Sequence, residues 1–265
     1  MREKPIGIFD SGIGGLTVVK EILKVLPNES LIYLGDTARV PYGPRGKEVI
    51  TKFALELTRF LLAKDIKFLV VACNTISAIC LEEVKEVSPV PVLGVIDGAV
   101  KKAVSESRSK RIGVIGTRAT VNSRVYEKAI KELGPAAEVF SKACPLFVPL
   151  AEEGLISHEA TRIIAKEYLS EIIENGVDTL ILGCTHYPIL KEIIKETVGK
   201  GVSIVDSASP TSEELKRMLK DRDLLNTKGQ SSYQFFVTDA PDRVQEVATE
   251  FLGSDLPGEL IKITL

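Results

Sequence analysis

Apolar residues run in short unbroken stretches along this chain, with little alternation. The stretches "PIGIFDS", "SLIYLGD", "FLVVACN", "VPVLGVI", "RIGVIGT", "AEVFSKA", "TLILGCT" and "VSIVDSA" are rich in Val, Ile and Leu. That pattern predicts strands buried on both faces, as in a parallel sheet covered by helices. Helical spacing fills most of the gaps. Residues 47–65 place Val49, Phe53, Leu57 and Phe60 on one face, and residues 158–175 form a second long helical segment. Alternating strands and helices predict an α/β, doubly wound fold with mainly parallel sheets.

Landmarks recur along the chain. Ile6-Gly7-Ile8 corresponds to Ile112-Gly113-Val114 at an offset of 106, Val40-Pro41 to Val148-Pro149 at 108, and Cys73 to Cys184 at 111. Landmarks in one order at a nearly constant interval predict two pseudosymmetric halves. In each half a strand and polar turn lead through a helix to a second strand, a Val-Pro loop, a long helix and a strand ending in cysteine. Beyond the second half lie a helical segment "TSEELKRMLKD", a polar linker "LLNTKGQSS", a strand "YQFFVTD" and a helix "PDRVQEVATEFLG". This tail is too short for a domain of its own. The predicted first domain therefore joins 1–97 to 207–265, and the second spans 98–206.

Composition narrows the ligand more than the fold. A length of 265 residues suits one large domain or two ordinary ones, each with a real core. Hydrophobic residues at 45% and charged residues at 26%, intermixed, describe a folded globular chain rather than a disordered one. A net charge of −2 and a pI near 5.9 give no basic field for nucleic acid and no cationic face for a membrane. A small molecule is the expected ligand. No apolar run reaches the roughly 18 residues of a membrane helix, and no signal-like segment precedes the first strand, so a cytoplasmic protein is expected. The cysteines Cys73, Cys80, Cys144 and Cys184 include no Cys-x-x-Cys pair, a spacing that speaks against disulfides and against a zinc site.

In α/β sheets, ligands bind beyond the carboxyl ends of the strands, and the polar oddities of this chain fall there. The first strand runs into Asp10-Ser11-Gly12-x-Gly14-Gly15, the second into Gly35-Asp36-Thr37 and the third into Cys73-Asn74-Thr75. In the second half the matching ends are Gly116-Thr117, the loop with Glu152 and Glu153, and Cys184-Thr185-His186. "DSGIGG" lacks the Gly-Lys-Ser/Thr ending of a phosphate loop and does not meet GxGxxG spacing. It reads either as a tight strand-to-helix turn or as a turn that binds a carboxylate.

A single cysteine ending an apolar strand is usually a small core residue. Two at equivalent ends of equivalent halves, each followed by polar residues and a helical pattern, read instead as thiols near helix N-termini. The helix dipole there favours thiolate, and a modestly depressed thiol suits a proton carrier. Across a cleft between the halves, one sulfur can remove a proton from a bound molecule while the other delivers one. Proton abstraction beside a carboxylate by paired bases inverts a stereocentre, so the symmetry points to a racemase or epimerase. Nucleophile chemistry would need only one of the two cysteines. His186 reads either as a proton partner of Cys184 or as a solvated residue at a helix start. Asp10 and Glu152 are candidate auxiliary carboxylates for Cys73 and Cys184 respectively. Within "VPYGPRG", Tyr42 and Gly43 can frame a ligand. Cys80 reads as core, Cys144 has no evident partner, and His158 reads as the surface residue that opens the second long helix.

With these residues assembled, the chain resembles the cofactor-independent aspartate/glutamate racemases. The matching motifs are "IFDSGIGGLTV", "YLGDTARVPYGPRG", "VVACNTISA", "IGVIGTRATVNSRVY", "PLFVPLAEEG" and "LGCTHYPIL", which follow one another from residue 6 to 190. The resemblance implies two pseudosymmetric α/β domains with the active site at their interface, and a two-base racemization of glutamate without pyridoxal phosphate. By that likeness Cys73 takes the α-proton from D-glutamate and Cys184 takes it from L-glutamate. Asp10 assists Cys73, while Glu152 and His186 assist Cys184. Substrate contacts carry over to Asp10, Ser11, Tyr42, Gly43, Asn74, Thr75, Thr117, Thr120, Thr185 and His186. A supply of D-glutamate for peptidoglycan and a homodimer are further implications of the likeness. Racemization of aspartate or a hydantoin, decarboxylation, and ligand binding without turnover by a two-lobed protein are the alternatives.

Overall fold

The computed structural model describes residues 1–227, 229 and 231–265. Lys228 and Gln230, in the predicted polar linker, lie outside the described residues. The first half supplies β1 (Ile6–Asp10), β2 (Leu31–Gly35), β3 (Phe68–Val71) and β4 (Val92–Gly94). The second supplies β5 (Arg111–Gly116), β6 (Glu138–Ala143), β7 (Thr179–Gly183) and β8 (Ser203–Asp206), and the tail adds β9 (Tyr233–Val237) and β10 (Glu259–Lys262). They form two sheets, ordered β10-β9-β2-β1-β3-β4 and β6-β5-β7-β8. Every pairing is parallel. The cores of the two sheets share one order, with β1, β2, β3 and β4 answering to β5, β6, β7 and β8.

Each strand pair is bridged by helix, as parallel pairing requires. In the first half, α1 (Leu16–Val25) leads to β2, α2 (Lys47–Leu62) to β3, and α3 (Asn74–Ile79) with α4 (Leu81–Val87) to β4. α5 (Ile96–Glu106) crosses to the second sheet. There α6 (Arg118–Asn122) and α7 (Val125–Leu133) lead to β6, and α8 (Phe147–Glu152) and α9 (Glu159–Glu174) to β7. A single 3-10 turn at Tyr187–Leu190 and α10 (Lys191–Val198) lead to β8. The chain returns through α11 (Ala208–Asp221) to β9, and α12 (Pro241–Leu252) separates β9 from β10.

Burial accounts for the apolar runs. Every residue of β1, β2, β3 and β7 is buried, which explains why those segments show no alternation. On one face of the first sheet, Phe9, Leu34 and Val71 pack with Ile50, Leu57 and Leu61 of α2. On the other face, Ile8 and Val70 join α1 in a core that continues to Leu180 and Leu182 of β7. The remaining face of the second sheet, with Val114 and Ile181, packs on Val100 of α5 and Ile130 of α7. Edge strand β6 is exposed or half-buried throughout.

Three expectations need correction. The buried row of α2 is Ile50, Ala54, Leu57, Thr58 and Leu61, with Val49 left exposed. Phe53 sits at the rim instead, under the Arg39 guanidinium at 4.1 Å from the ring centroid, and Phe60 meets Phe236 of β9 edge-on. The small Ala54 lets the helix approach the sheet on a row that two phenyl rings would hold off. Val148-Pro149 is not a loop like Val40-Pro41, because it lies inside helix α8. The tail holds a short last strand, β10, in addition to the anticipated strand and helix, and β9 and β10 extend the first sheet beside β2.

Candidate active site

The carboxyl ends of the two sheets meet around a cavity of about 340 Å³. From the first half it is lined by Ser11, Tyr42, Gly43, Cys73, Asn74 and Thr75, and from the second by Thr117, Glu152, Cys184, Thr185 and His186. Two anticipated residues stand one layer behind. Asp10 is fully buried and its Oδ2 accepts the Gly12 N–H at 2.9 Å. Thr120 is buried with its hydroxyl 3.0 Å from that of Thr117. Thr75 of the first half closes this hydroxyl cluster at 2.9 Å from Thr117. Val40, Pro41 and Pro44, from the loop expected to frame a ligand, complete the walls with Val148 and Pro149, joined by Pro145 and Arg118, for which no role was expected. The signal for these walls was the pair of matching Val-Pro landmarks, which converge on the cavity from unlike local structures.

Cys73 and Cys184 follow the equivalent strands β3 and β7, and only 4% and 6% of their surface is exposed. Their surroundings differ. Cys73 Sγ lies 3.4 Å from Ser11 Oγ. Burial pushes the Cys73 thiol far up, the neighbouring Asp10 carboxylate pushes it further, and hydrogen bonds from Ser11 and Ile76 pull the other way without offsetting them. The helix dipole does not produce the depressed thiol expected there, because α3 is only six residues long and the desolvation it must overcome is nearly complete. Asp10 is itself raised, chiefly by burial, against the pull of His186 and of the Gly15 and Gly12 N–H groups.

Cys184 Sγ faces His186 Nδ1 at 3.9 Å, and His186 Nε2 lies 2.9 Å from Glu152 Oε1. Burial by itself would lower the imidazole, but its contacts with Cys184 and Glu152 prevail and push it up to about 10. Burial likewise opposes ionisation of Glu152, and the His186 bond and charge outweigh it to hold the carboxyl low. The imidazolium thus stands on the Cys184 side of the cavity and the Asp10 carboxyl on the Cys73 side. His186 is 5% exposed, so the solvated reading of this residue does not hold. Nor does an α-helix start directly after Cys184: the 3-10 turn comes first, and α10 begins at Lys191. Glu152 closes α8 rather than sitting in a loop.

Each half also reaches into the other. A β-carbon at Gly14 would lie 2.4 Å from His186 Nδ1 and from Thr185 Oγ1, so only glycine admits this approach. The Thr17 hydroxyl, 3.0 Å from the Thr185 carbonyl, adds a contact at the same junction. "DSGIGG" is therefore a turn that seats the opposite half. Gly43 does the same against Thr117, where a β-carbon would stand 2.9 Å away, and its carbonyl accepts the Ala119 N–H at 3.1 Å. From the tail, the Phe251 ring meets His186 edge-on at 5.4 Å.

The remaining candidates fall outside the cavity. Cys80 and Cys144 are buried, with the Cys144 carbonyl accepting the Tyr187 hydroxyl at 2.8 Å. His158 caps α9, its Nδ1 accepting the Ala160 N–H at 3.1 Å. Among the described residues, no cluster of three or more His, Cys, Asp and Glu side chains is arranged to hold a metal. No helix among them is long and apolar enough to cross a membrane.

Fold and cavity together define a two-lobed α/β protein with a cavity between the carboxyl ends of its two sheets. The chain belongs to the Asp/Glu/hydantoin racemase family, whose sequence model matches residues 6–214. It is 51% identical to the glutamate racemase of Geobacter metallireducens, over 100% of this chain and 98% of that relative. Among solved structures, a glutamate racemase isoform from Bacillus anthracis superposes with a TM-score of 0.96 at 38% identity, covering 100% of this chain and 99% of that one. The Francisella tularensis glutamate racemase in complex with D-glutamate gives 0.94 at 41% identity, covering 100% and 98%. The protein is an isomerase of the racemase class.

Proposed function

We propose that this racemase interconverts L- and D-glutamate by passing the α-proton between Cys73 and Cys184. The observation that carries the reading is that two thiols at equivalent strand ends line one cavity, one from each half. The names of the relatives at about half identity and the D-glutamate bound in the Francisella structure support glutamate as the substrate. With L-glutamate bound, the Cys184 thiolate takes the α-proton, so that an S–H bond forms as the C–H bond breaks and the electron pair moves toward the α-carboxylate. Cys73 then gives its thiol proton to the opposite face of the carbon and is left as thiolate. The reverse reaction starts from Cys73.

Asp10 stands behind Cys73, where its negative charge favours the thiol form and hence proton delivery. The His186–Glu152 pair serves Cys184, the imidazolium supplying positive charge beside the reacting sulfur and carboxylate. Ser11, Tyr42, Gly43, Asn74, Thr75, Thr117 and Thr185 hold the substrate through hydroxyl, amide and backbone groups, with Thr120 supporting Thr117. The two domains comprise 1–97 with 207–265, and 98–206. The D-glutamate produced would feed peptidoglycan synthesis in the cytoplasm.

The test is incubation of the purified protein with L-glutamate in deuterated water, without added cofactor. Loss of optical rotation together with deuterium at the α-carbon is expected. A protein that only binds glutamate shows neither, and a panel with L-aspartate and a hydantoin separates the related racemization reactions.

A further inference from the structure

Asn74 opens α3 directly after Cys73 and lies against the cavity. Its side chain is held by groups from beyond the first half. The Tyr126 hydroxyl of α7 accepts a hydrogen bond from Asn74 Nδ2 at 2.7 Å, and Ser207 Oγ lies 3.3 Å from both Nδ2 and Oδ1. Tyr126 is 2% exposed and does not line the cavity. Its ring backs onto Gly183, the residue before Cys184, so closely that a β-carbon there would come 3.2 Å from Tyr126 Cε2. One phenol therefore touches the residue after one thiol and the residue before the other.

We infer that Tyr126 is a positioning residue that sets the distance between the two thiols, its hydroxyl fixing Asn74 beside Cys73 while its ring backs Gly183 beside Cys184. The inference rests on the two-thiol reading. Proton transfer on both faces of one carbon requires each sulfur to be in register with it, and a misplacement of about 1 Å costs about 100-fold in rate. Packing alone does not explain a tyrosine here. The ring lies among aliphatic neighbours such as Ile130, Ile181 and Val205, which phenylalanine would satisfy equally, and the hydroxyl's partner is an amide on the other half. Burial pushes the phenol up and keeps it protonated, so the tie is the same throughout the working pH range.

Tyr126→Phe keeps the ring and removes only the tie. The reaction is followed from L-glutamate in deuterated water, scoring deuterium separately in the D-glutamate formed and the L-glutamate recovered. In the wild type, opposed thiols place deuterium in the product and almost none in the recovered substrate. Deuterium in both enantiomers at early times would sink the two-thiol reading itself. In Tyr126→Phe, kcat should fall about tenfold with KM held within about threefold. Deuterium should now enter recovered L-glutamate, because the thiol that took the proton exchanges it with solvent and returns it before its displaced partner can deliver. A wild-type isotope pattern in this variant, with or without a loss of kcat, overturns the inference. Ser207→Ala removes the other hydroxyl held by Asn74 and should shift the isotope pattern in the same direction. Should thermal melting show that Tyr126→Phe does not fold, Asn74→Ala cuts the same hydrogen bond from its other end, and a wild-type isotope pattern there overturns the inference.

Discussion

Glu152 Oε1 lies 2.9 Å from His186 Nε2, which leaves the other imidazole nitrogen facing the Cys184 sulfur. The pair makes a pH signature. The folded imidazole at about 10 stands above its ordinary 6.5. Its contribution to stability is therefore complete below pH 6.5 and is lost as the pH climbs through 10. Glu152→Gln removes one of the groups holding the proton. Denaturant melts between pH 6.5 and 10 should show a smaller stability loss in the variant than in the wild type. Its kcat/KM should fall about 100-fold, equally in both directions, since the equilibrium is untouched. Superimposable pH–stability curves would show that Glu152 does not hold the charge.

Gly14→Ala tests the seating of one half on the other. The added methyl meets the His186 ring and the Thr185 hydroxyl at 2.4 Å, and the Cys184 loop must move to admit it. Activity should drop about 100-fold, against a stability cost of only about 1–3 kcal/mol. Full activity in this variant would mean that the close approach does not matter to the chemistry.

The Tyr42 loop hangs from a buried carboxylate. Asp36 is fully buried and accepts hydrogen bonds from the Tyr42 hydroxyl, from Arg39 Nε at 2.6 Å and from the Thr238 hydroxyl at 2.9 Å. Asp36→Asn removes one of the two carboxylates paired with Arg39, leaving Glu56 as its counterion, and turns a buried donor toward other donors. Unfolding free energy should fall by about 2 kcal/mol, and KM should rise more than kcat falls because Tyr42 and Gly43 wall the cavity. Steady-state kinetics with urea titration separates the two effects.

Far from the cavity, the fully buried Lys67 ammonium pairs with Glu29 and with the carbonyls of Arg2 and Leu224. Glu29 also accepts the Asn226 N–H at 2.8 Å, so the cluster ties the tail to the first sheet. Lys67→Met should cost about 3–5 kcal/mol by stranding Glu29 and leave kcat unchanged. Lys67→Met with Glu29→Leu should recover much of that loss. A kcat defect in the single variant would connect this cluster to the site.

Strands that end in chemistry were legible in the sequence because parallel strands are buried on both faces and announce themselves as unbroken apolar runs. The cysteines stood out because the duplication repeats them at the same strand ends. The local form of the duplication was less legible. Val148-Pro149 belongs to a helix and Val40-Pro41 to a loop, yet both reach the cavity, since what is repeated is position relative to the sheet. Side-chain ties were hidden for a different reason. Tyr126 is 52 residues from Asn74 and Ser207 is 133 residues from it, and no spacing rule links such pairs. The state of Cys73 was misjudged because a helix start is visible in sequence, whereas the depth of burial that outweighs it is not.

The most direct measurement follows α-deuterium exchange and inversion separately in Cys73→Ala and Cys184→Ala, each given L- and D-glutamate in deuterated water. Each variant should lose inversion by at least about 1000-fold. Cys73→Ala should still exchange the α-proton of L-glutamate alone, and Cys184→Ala that of D-glutamate alone. Racemization at a near-normal rate in either variant, or exchange of the opposite enantiomer, would contradict the transfer of one proton between two facing thiols.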